Sequence, residues 1–285
     1  MLKTLVAAAA LGAAPLSAVS ALAADAPPGA PGGDPWRGLK MGIASYSFRQ
    51  LPLDACVKGI QRVQLHWVSI KDAHLKMNTS TEERKAVAQK FRDAGITPIS
   101  CGVVYMKKND EATVRNAFEY ARDIGVKTIV AGPEPDALQL VEKLVKEFDI
   151  KIAIHNHGPT DKFYPKPVDV MNAVKDLDPR IGLCIDVGHT ARIGADPVND
   201  IHQFKDRLYD LHFKDVTGLT KQSKEIEVGR GVLDIPGMLK ALLEINYQGH
   251  VGLEHENNPK DPLPGVAESI GYAKGVMRML PVSVG

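Results

Sequence analysis

Four stretches in the second half of this chain run from apolar residues straight into side chains that ligate metals or move protons. They are "KIAIHNHG" (151–158), "IGLCIDVGH" (181–189), "LYDLHFKD" (208–215) and "HVGLEHE" (250–256). Alternate residues of an extended segment share a face, so His155 projects with His157, His212 with Lys214, and Glu254 with Glu256. A lone strand end such as His155-Asn156-His157 fits a solvated rim as well as it fits one wall of a metal or catalytic site. Four strand ends make one site only if the fold carries them to a common rim. In that case one donor per stretch gives His155, Asp186, His212 and Glu254. Imidazole with carboxylate suits one divalent ion, Mn, Zn, Co or Mg. His157, Lys214 and Glu256 are then placed to orient the ligands or to touch substrate. The competing reading leaves all of these groups hydrogen-bonding loops around a rim.

The elements that must position these residues alternate regularly. Apolar runs at Met41–Ser45, Trp67–Ile70, Ile96–Val104, Thr128–Ala131, Lys151–Ile154, Ile181–Ile185, Leu208–Leu211 and His250–Leu253 read as strands. Between them lie amphipathic helix patterns. "STEERKAVAQKFRDAG" opens with the capping-box spacing of Ser80 and Glu83 and closes at Gly95. "NDEATVRNAFEYARDIG" is capped by Asn109 or Asp110 and closes at Gly125, and "DALQLVEKLVKEFD" and "PGMLKALLEIN" follow the same rule. Eight strand–helix units predict parallel strands with right-handed crossovers and a (β/α)8 TIM barrel over residues 39–285, with its chemistry at the C-terminal rim. A doubly wound sheet is the alternative, but no G-x-G-x-x-G follows the first strand. "GRG" at 229–231 is too short for a phosphate loop and predicts a turn before Val232.

The first 23 residues read as a signal peptide. Lys3 supplies the charge, Leu5 to Leu22 an apolar core broken by Pro15, and Ala21-Leu22-Ala23 a small-x-small cleavage site. "ADAPPGAPGGDPWRG" (24–38) reads as a flexible Pro/Gly/Ala linker. The expected location is therefore exported, periplasmic or secreted, with no membrane anchor after cleavage. The 35 basic and 34 acidic residues leave a net charge of +1 and form no basic stripe, which argues against a nucleic-acid partner. Cys56, Cys101 and Cys184 are too few and too irregular for a disulfide framework. Lys71, in the apolar segment "VSIKDAHL", must reach the rim or a partner, because a lysine within a strand is otherwise costly to bury.

"LKMGIASYSF", "VSIKDAHL", "GLCIDVGHT", "DLHFKDV", "VGRGVLDIPGMLKAL" and "VGLEHE" together resemble the sugar phosphate isomerase/epimerase superfamily, whose fold is the xylose isomerase-like TIM barrel. The resemblance covers residues 39–280 and is most specific at Asp186-x-x-His189 and His212-x-Lys214-Asp215. It implies one divalent metal held by Glu, Asp, His and Glu from strands five to eight. Asp186, His212 and Glu254 match the last three, while His155 stands where the family carries its first glutamate. The resemblance further implies that His189 touches a substrate oxygen and that Lys71 and His74 lie in the substrate-contacting segment. Tyr46, Phe48 and Tyr105 are candidates for a wall on which a sugar stacks.

The implied chemistry is removal of the proton α to a sugar carbonyl, with a metal-stabilised enediolate. Glu254, Glu256, Lys71 and His189 are the base candidates. An isomerase/epimerase on a non-phosphorylated sugar is the leading expectation, the exported location arguing against sugar phosphates. The alternative implied by the resemblance to exported relatives is a lyase or hydratase acting on 3-keto-glycosides, which a metal-bound histidine favours because it lacks the free lone pair that two-base epimerisation requires. Phosphodiester cleavage, as in the endonuclease IV branch of the same barrel, lacks both the extra ligands and a basic groove. A non-catalytic sugar-binding barrel is the remaining reading. The partner expected is a small-molecule carbohydrate, and a homo-oligomer is compatible with the sequence.

Overall fold

A computed structural model describes residues 33–107 and 110–281. The expected signal peptide lies outside the described residues, as does most of the expected linker. The linker's last residues are ordered. Asp34 accepts hydrogen bonds from the backbone of Trp36 (3.0 Å) and Gly38 (2.7 Å), and the Trp36 side chain is buried in the core. The fold therefore includes residues before Leu39.

Eight parallel strands close into a barrel: β1 Lys40–Ala44, β2 Trp67–Ile70, β3 Thr97–Met106, β4 Thr128–Pro133, β5 Lys151–His155, β6 Ile181–Asp186, β7 Leu208–Phe213 and β8 His250–Leu253. Closure is made by β1 against β8, in the register Lys40↔His250 to Ile43↔Leu253. Around the barrel run α1 Leu53–Arg62, α2 Thr81–Asp93, α3 Glu111–Ile124, α4 Leu138–Phe148, α5 Pro167–Val174, α6 Val187–Ala191, α7 Pro197–Gln203, α8 Ile235–Glu244 and α9 Leu263–Met279. The caps form where the sequence calls for them. Ser80 Oγ accepts from the Glu83 backbone, Asp110 from Thr113, and Gly125 takes the left-handed conformation that ends α3. No helix among the described residues is long and apolar enough to cross a membrane.

The strands divide their side chains by parity. One set, including Ile43, Val68, Ile129, Ile152, Leu183, Leu211 and Val251, is buried in the main apolar core. The other set carries Ser69, Ser100, Val130, Ala153, Cys184 and Asp210, small or polar and all buried. Gly42 and Gly252 leave room there for the His250 ring, since a Cβ would fall 2.6 Å from its Nε2 at Gly42 and 2.5 Å from its Cε1 at Gly252. Small side chains in the middle of the barrel let a layer of long ionic ones converge above them. All three cysteines are buried and free.

Candidate active site

His155 and Asp186 are the last residues of β5 and β6, His212 lies near the end of β7, and Glu254 directly follows β8. Strand closure brings the four together, and one donor atom from each lies within 4.8 Å of the others. His155 Nε2 is 3.4 Å from Asp186 Oδ2, and His212 Nδ1 is 3.7 Å from the same oxygen and 3.2 Å from Glu254 Oε2. All four residues are buried, and His212 Nδ1 has no hydrogen-bond partner. An orphaned imidazole nitrogen facing two carboxylate oxygens, with a second imidazole beside them, fits a divalent ion. Ligands about 2.0–2.2 Å from a shared centre must lie this close to one another.

Two ammonium groups balance the carboxylates. Lys214 Nζ lies 2.9 Å from Asp186 Oδ2, 2.9 Å from Glu254 Oε2 and 2.8 Å from Glu256 Oε1. Lys71 Nζ lies 3.2 Å from His212 Nε2 and 3.9 Å from Glu254 Oε1. Burial alone would raise the Asp186 and Glu254 carboxyls. Lys214, with His189 at Asp186 and His212 at Glu254, outweighs it and holds both well below the usual range. Burial also works against the Lys214 ammonium, yet its three carboxylate partners hold its pKa well above the ordinary lysine value. His155 is pushed down to about 3 and His189 to about 4, chiefly by burial, so both rings are neutral near pH 7.

Neighbouring side chains fix the strand ends. Asn156, between the two histidines, accepts from the Asp186 backbone at 3.0 Å and donates to Thr190 Oγ1 at 3.1 Å, tying β5 to β6. Asp186 caps α6 by accepting from the His189 backbone at 2.8 Å, which aims its second oxygen at the other donors. Ser45 Oγ accepts from the Lys71 backbone, and Ser47 Oγ from that of His255. Asp215 accepts from the backbones of Val216, Gly229, Gly231 and Leu233, all within 3.1 Å. The "GRG" stretch is thus the expected turn, folded around a buried carboxylate. None of these anchors carries a spacing signal of its own, although Asn156 and Asp215 both sit inside the motifs.

A cavity of about 500 Å³ opens above the four donors. Tyr46, Lys71, Tyr105, His157, His189 and Glu256 line it, together with His155 and Glu254. Asp72, Gly102 and Val103 also line it, three residues that sequence reasoning passed over. Gly102 is required there, because its φ is +110° and a Cβ would fall 2.0 Å from the Val130 carbonyl oxygen. Three expectations need correction. His74 is not on the wall; two residues past Asp72 in the turn that follows β2, its Nε2 faces the Leu51 carbonyl oxygen at 3.2 Å. Lys214 is buried beneath the carboxylates, where it balances charge and does not reach the substrate space. Phe48 is core, with its ring edge against Gly59, where a Cβ would fall 2.7 Å away.

A closed (β/α)8 barrel with imidazole and carboxylate donors on the rim of β5 to β8 defines the class of protein. A family model described as the xylose isomerase-like TIM barrel matches residues 58–276, and the chain belongs to that family. Among curated proteins it is 28% identical over 148 residues to the rhizopine catabolism protein MocC of Rhizobium meliloti, covering 47% of this chain and 45% of that one. It is 27% identical over 154 residues to the inosose dehydratase of Geobacillus kaustophilus (strain HTA426), covering 49% and 48% respectively. The chain thus spans about half the length of the curated relatives it matches. The solved structure of the IOLI protein with a binding zinc atom superposes with a TM-score of 0.70 at 15% identity, covering 84% of this chain and 98% of that one. At that identity the likeness establishes the fold alone.

Proposed function

We propose that this chain is a divalent-metal-dependent carbohydrate enzyme that removes the proton α to a ketone of a non-phosphorylated sugar and finishes by β-elimination. His155, Asp186, His212 and Glu254 would hold the ion, which would polarise the ketone and favour negative charge on its oxygen. The observation that carries the choice of elimination is the placement of acid and base groups. The cavity's carboxylates, Asp72, Glu254 and Glu256, stand at the ends of β2 and β8, whereas the β5 and β6 ends carry His155, His157 and His189. Two-base epimerisation needs a proton acceptor on each face of the sugar; His155 would have its lone pair on the ion, and the route proposed here uses His189, the other imidazole of that side named as a base candidate, as a hydrogen-bond donor.

One carboxylate suffices for elimination on a single face. Glu254 takes the α-proton through Oε1, beside which Lys71 supplies positive charge. The electron pair left on carbon forms the new double bond as the β C–O bond breaks, and the same carboxyl returns its proton to the leaving oxygen. The neutral His189 ring donates a hydrogen bond to a substrate oxygen, and His157, its ring 4.3 Å away, steadies it. A dehydratase among the relatives is in keeping with this route. The signal-peptide reading of residues 1–23 supports an exported enzyme, periplasmic or secreted, where phosphorylated sugars are scarce.

Metal analysis of the purified protein beside Asp186→Ala and Glu254→Ala should show one ion per chain, lost in both variants. Unchanged metal in both would refute the ligand set. Incubation in D₂O with free ketoses and a 3-keto-glycoside, followed by NMR, should show loss of water or aglycone. Deuterium entering α to the carbonyl with inversion and no bond loss would instead establish isomerase/epimerase chemistry.

A further inference from the structure

The four donors of the candidate metal centre are not equally suited to all divalent ions. Two are imidazole nitrogens, from His155 and His212, and two are carboxylate oxygens, from Asp186 and Glu254. Neither carboxylate offers both of its oxygens freely. Asp186 Oδ1 accepts from the His189 backbone at 2.8 Å, which leaves Oδ2 for the other donors. Glu254 Oε2 lies 3.2 Å from His212 Nδ1, while its Oε1 is 3.9 Å from Lys71 Nζ. Both inward oxygens are shared with Lys214 Nζ, 2.9 Å from each, which also meets Glu256 Oε1 at 2.8 Å. Part of the carboxylate charge is therefore already met by a buried ammonium. Of the two imidazoles, His155 also lines the open cavity, whereas His212 is backed by Lys71 Nζ, 3.2 Å from its Nε2.

We infer that this centre takes a borderline transition ion, Zn²⁺ or Co²⁺, that it discriminates against Mg²⁺ and Ca²⁺, and that the His155 imidazole makes the choice. Ca²⁺ takes about 6–8 oxygen ligands and Mg²⁺ a near-ideal octahedron of them, whereas the protein supplies two oxygens here. Hard ions are held chiefly by charge, and Lys214 lowers the charge that reaches them. Imidazole suits Zn²⁺ and the other late first-row ions, and is a poor exchange for oxygen at Mg²⁺ or Ca²⁺. A carboxylate at position 155 would reverse both conditions together, adding an oxygen donor and a negative charge at the cavity face. The inference rests on the four ligands of the proposed function, and not on the reaction assigned to them.

Ion binding tests this without turnover. The full chain, freed of metal by a chelator, is titrated calorimetrically with Zn²⁺, Co²⁺, Mg²⁺ and Ca²⁺, with Zn²⁺ buffered by a competing chelator. Zn²⁺ and Co²⁺ should bind at one ion per chain, and Zn²⁺ should bind more tightly than Mg²⁺ by a factor on the order of 10,000 or more. His155→Glu should narrow that ratio by a factor on the order of 100, with Mg²⁺ binding gained as Zn²⁺ binding weakens. His155→Gln, which removes the nitrogen and adds no charge, should weaken Zn²⁺ about ten-fold or more and leave Mg²⁺ unchanged. It should also alter the visible absorption of the Co²⁺ form as an imidazole leaves the ion. Wild-type Mg²⁺ or Ca²⁺ affinity within about ten-fold of Zn²⁺ overturns the inference, and that comparison needs no variant to fold. So does a ratio unchanged by both substitutions in proteins whose circular dichroism matches the wild type. In either case the ligand set stands. Binding of none of the four ions refutes the ligand set and the inference together. Selective Zn²⁺ binding with no turnover of any keto-sugar supports the inference and refutes only the proposed chemistry.

Discussion

Lys214 shows how a single side chain sets the balance of the whole site. It is essentially sealed from solvent and lies within 2.9 Å of three carboxylates, two of them donors of the candidate metal centre. Without a metal it is the closest counter-charge to Asp186. Removing one partner of a buried ionic cluster costs about 3–5 kcal/mol, because the remaining charge is left uncompensated. Lys214→Met should therefore destabilise the metal-free protein by about that amount in urea unfolding. Added Zn²⁺ or Mn²⁺ should recover much of the loss, since a cation at the four donors meets the same oxygens; unaltered stability without metal would show that the lysine does not balance them. The donors themselves were legible because each closes an apolar run at a position the barrel must deliver to its rim. For Lys214 the sequence left open whether it orients the ligands or touches substrate. Strand parity says which way a side chain points, not how deep it ends. His74 and Phe48 were misplaced for a related reason, since both lie beyond a strand end, where the path of the loop decides and no periodicity reports it.

The strand-to-helix connections do as much as the strands, as the β7–α8 connection shows. Asp215, in the first strand of the short ribbon formed by Asp215–Val216 and Glu225–Ile226, collects backbone N–H groups from Val216 beside it and from Gly229, Gly231 and Leu233 beyond the second strand. The ribbon also brings Glu225 to His255, whose Nδ1 lies 3.0 Å from its carboxylate, and so braces the end of β8 beside Glu254. Each buried N–H left without a partner costs about 1–3 kcal/mol. Asp215→Ala should lower stability by about 1–3 kcal/mol, the cost of the one fully buried donor, Val216, with the part-buried donors of Gly229, Gly231 and Leu233 adding less because water reaches them. Gly231→Ala should be comparably harmful, because the new Cβ would fall 2.1 Å from Asp215 Oδ1. Thermal melts of both variants check this, and a wild-type melting temperature in either would show that the loop has another way to satisfy its backbone. In the sequence, "GRG" was readable as a turn but not as a turn wrapped around Asp215. Turn chemistry is local, whereas this acceptor lies 14 to 18 residues from the glycines and leucine it holds.

At the scale of the molecule, the candidate ligands are distributed asymmetrically around the barrel. Its eight-unit order was visible because the strand and helix periods alternate cleanly, and the observed strands differ from the expected runs by one or two residues, continuing to Met106 at β3, Pro133 at β4, His155 at β5, Asp186 at β6 and Phe213 at β7. All four candidate ligands come from β5, β6, β7 and β8, which are consecutive around the barrel. A bound ion would link the ends of those strands and leave β1 to β4 unbridged. At an ion concentration 100 times its Kd, binding stabilises the fold by about 2.7 kcal/mol. For a domain of this size that corresponds to a rise in melting temperature of roughly 5–11 °C. Local opening is not uniform across a structure, so the protection should concentrate where the ion is held. Hydrogen exchange with and without chelator should show metal-dependent protection at 153–156, 184–187, 211–213 and 253–255, and much less at the corresponding ends of β1 to β4. Equal protection around the ring would mean that the ion stabilises the barrel only globally, and no protection anywhere would remove the metal from the site.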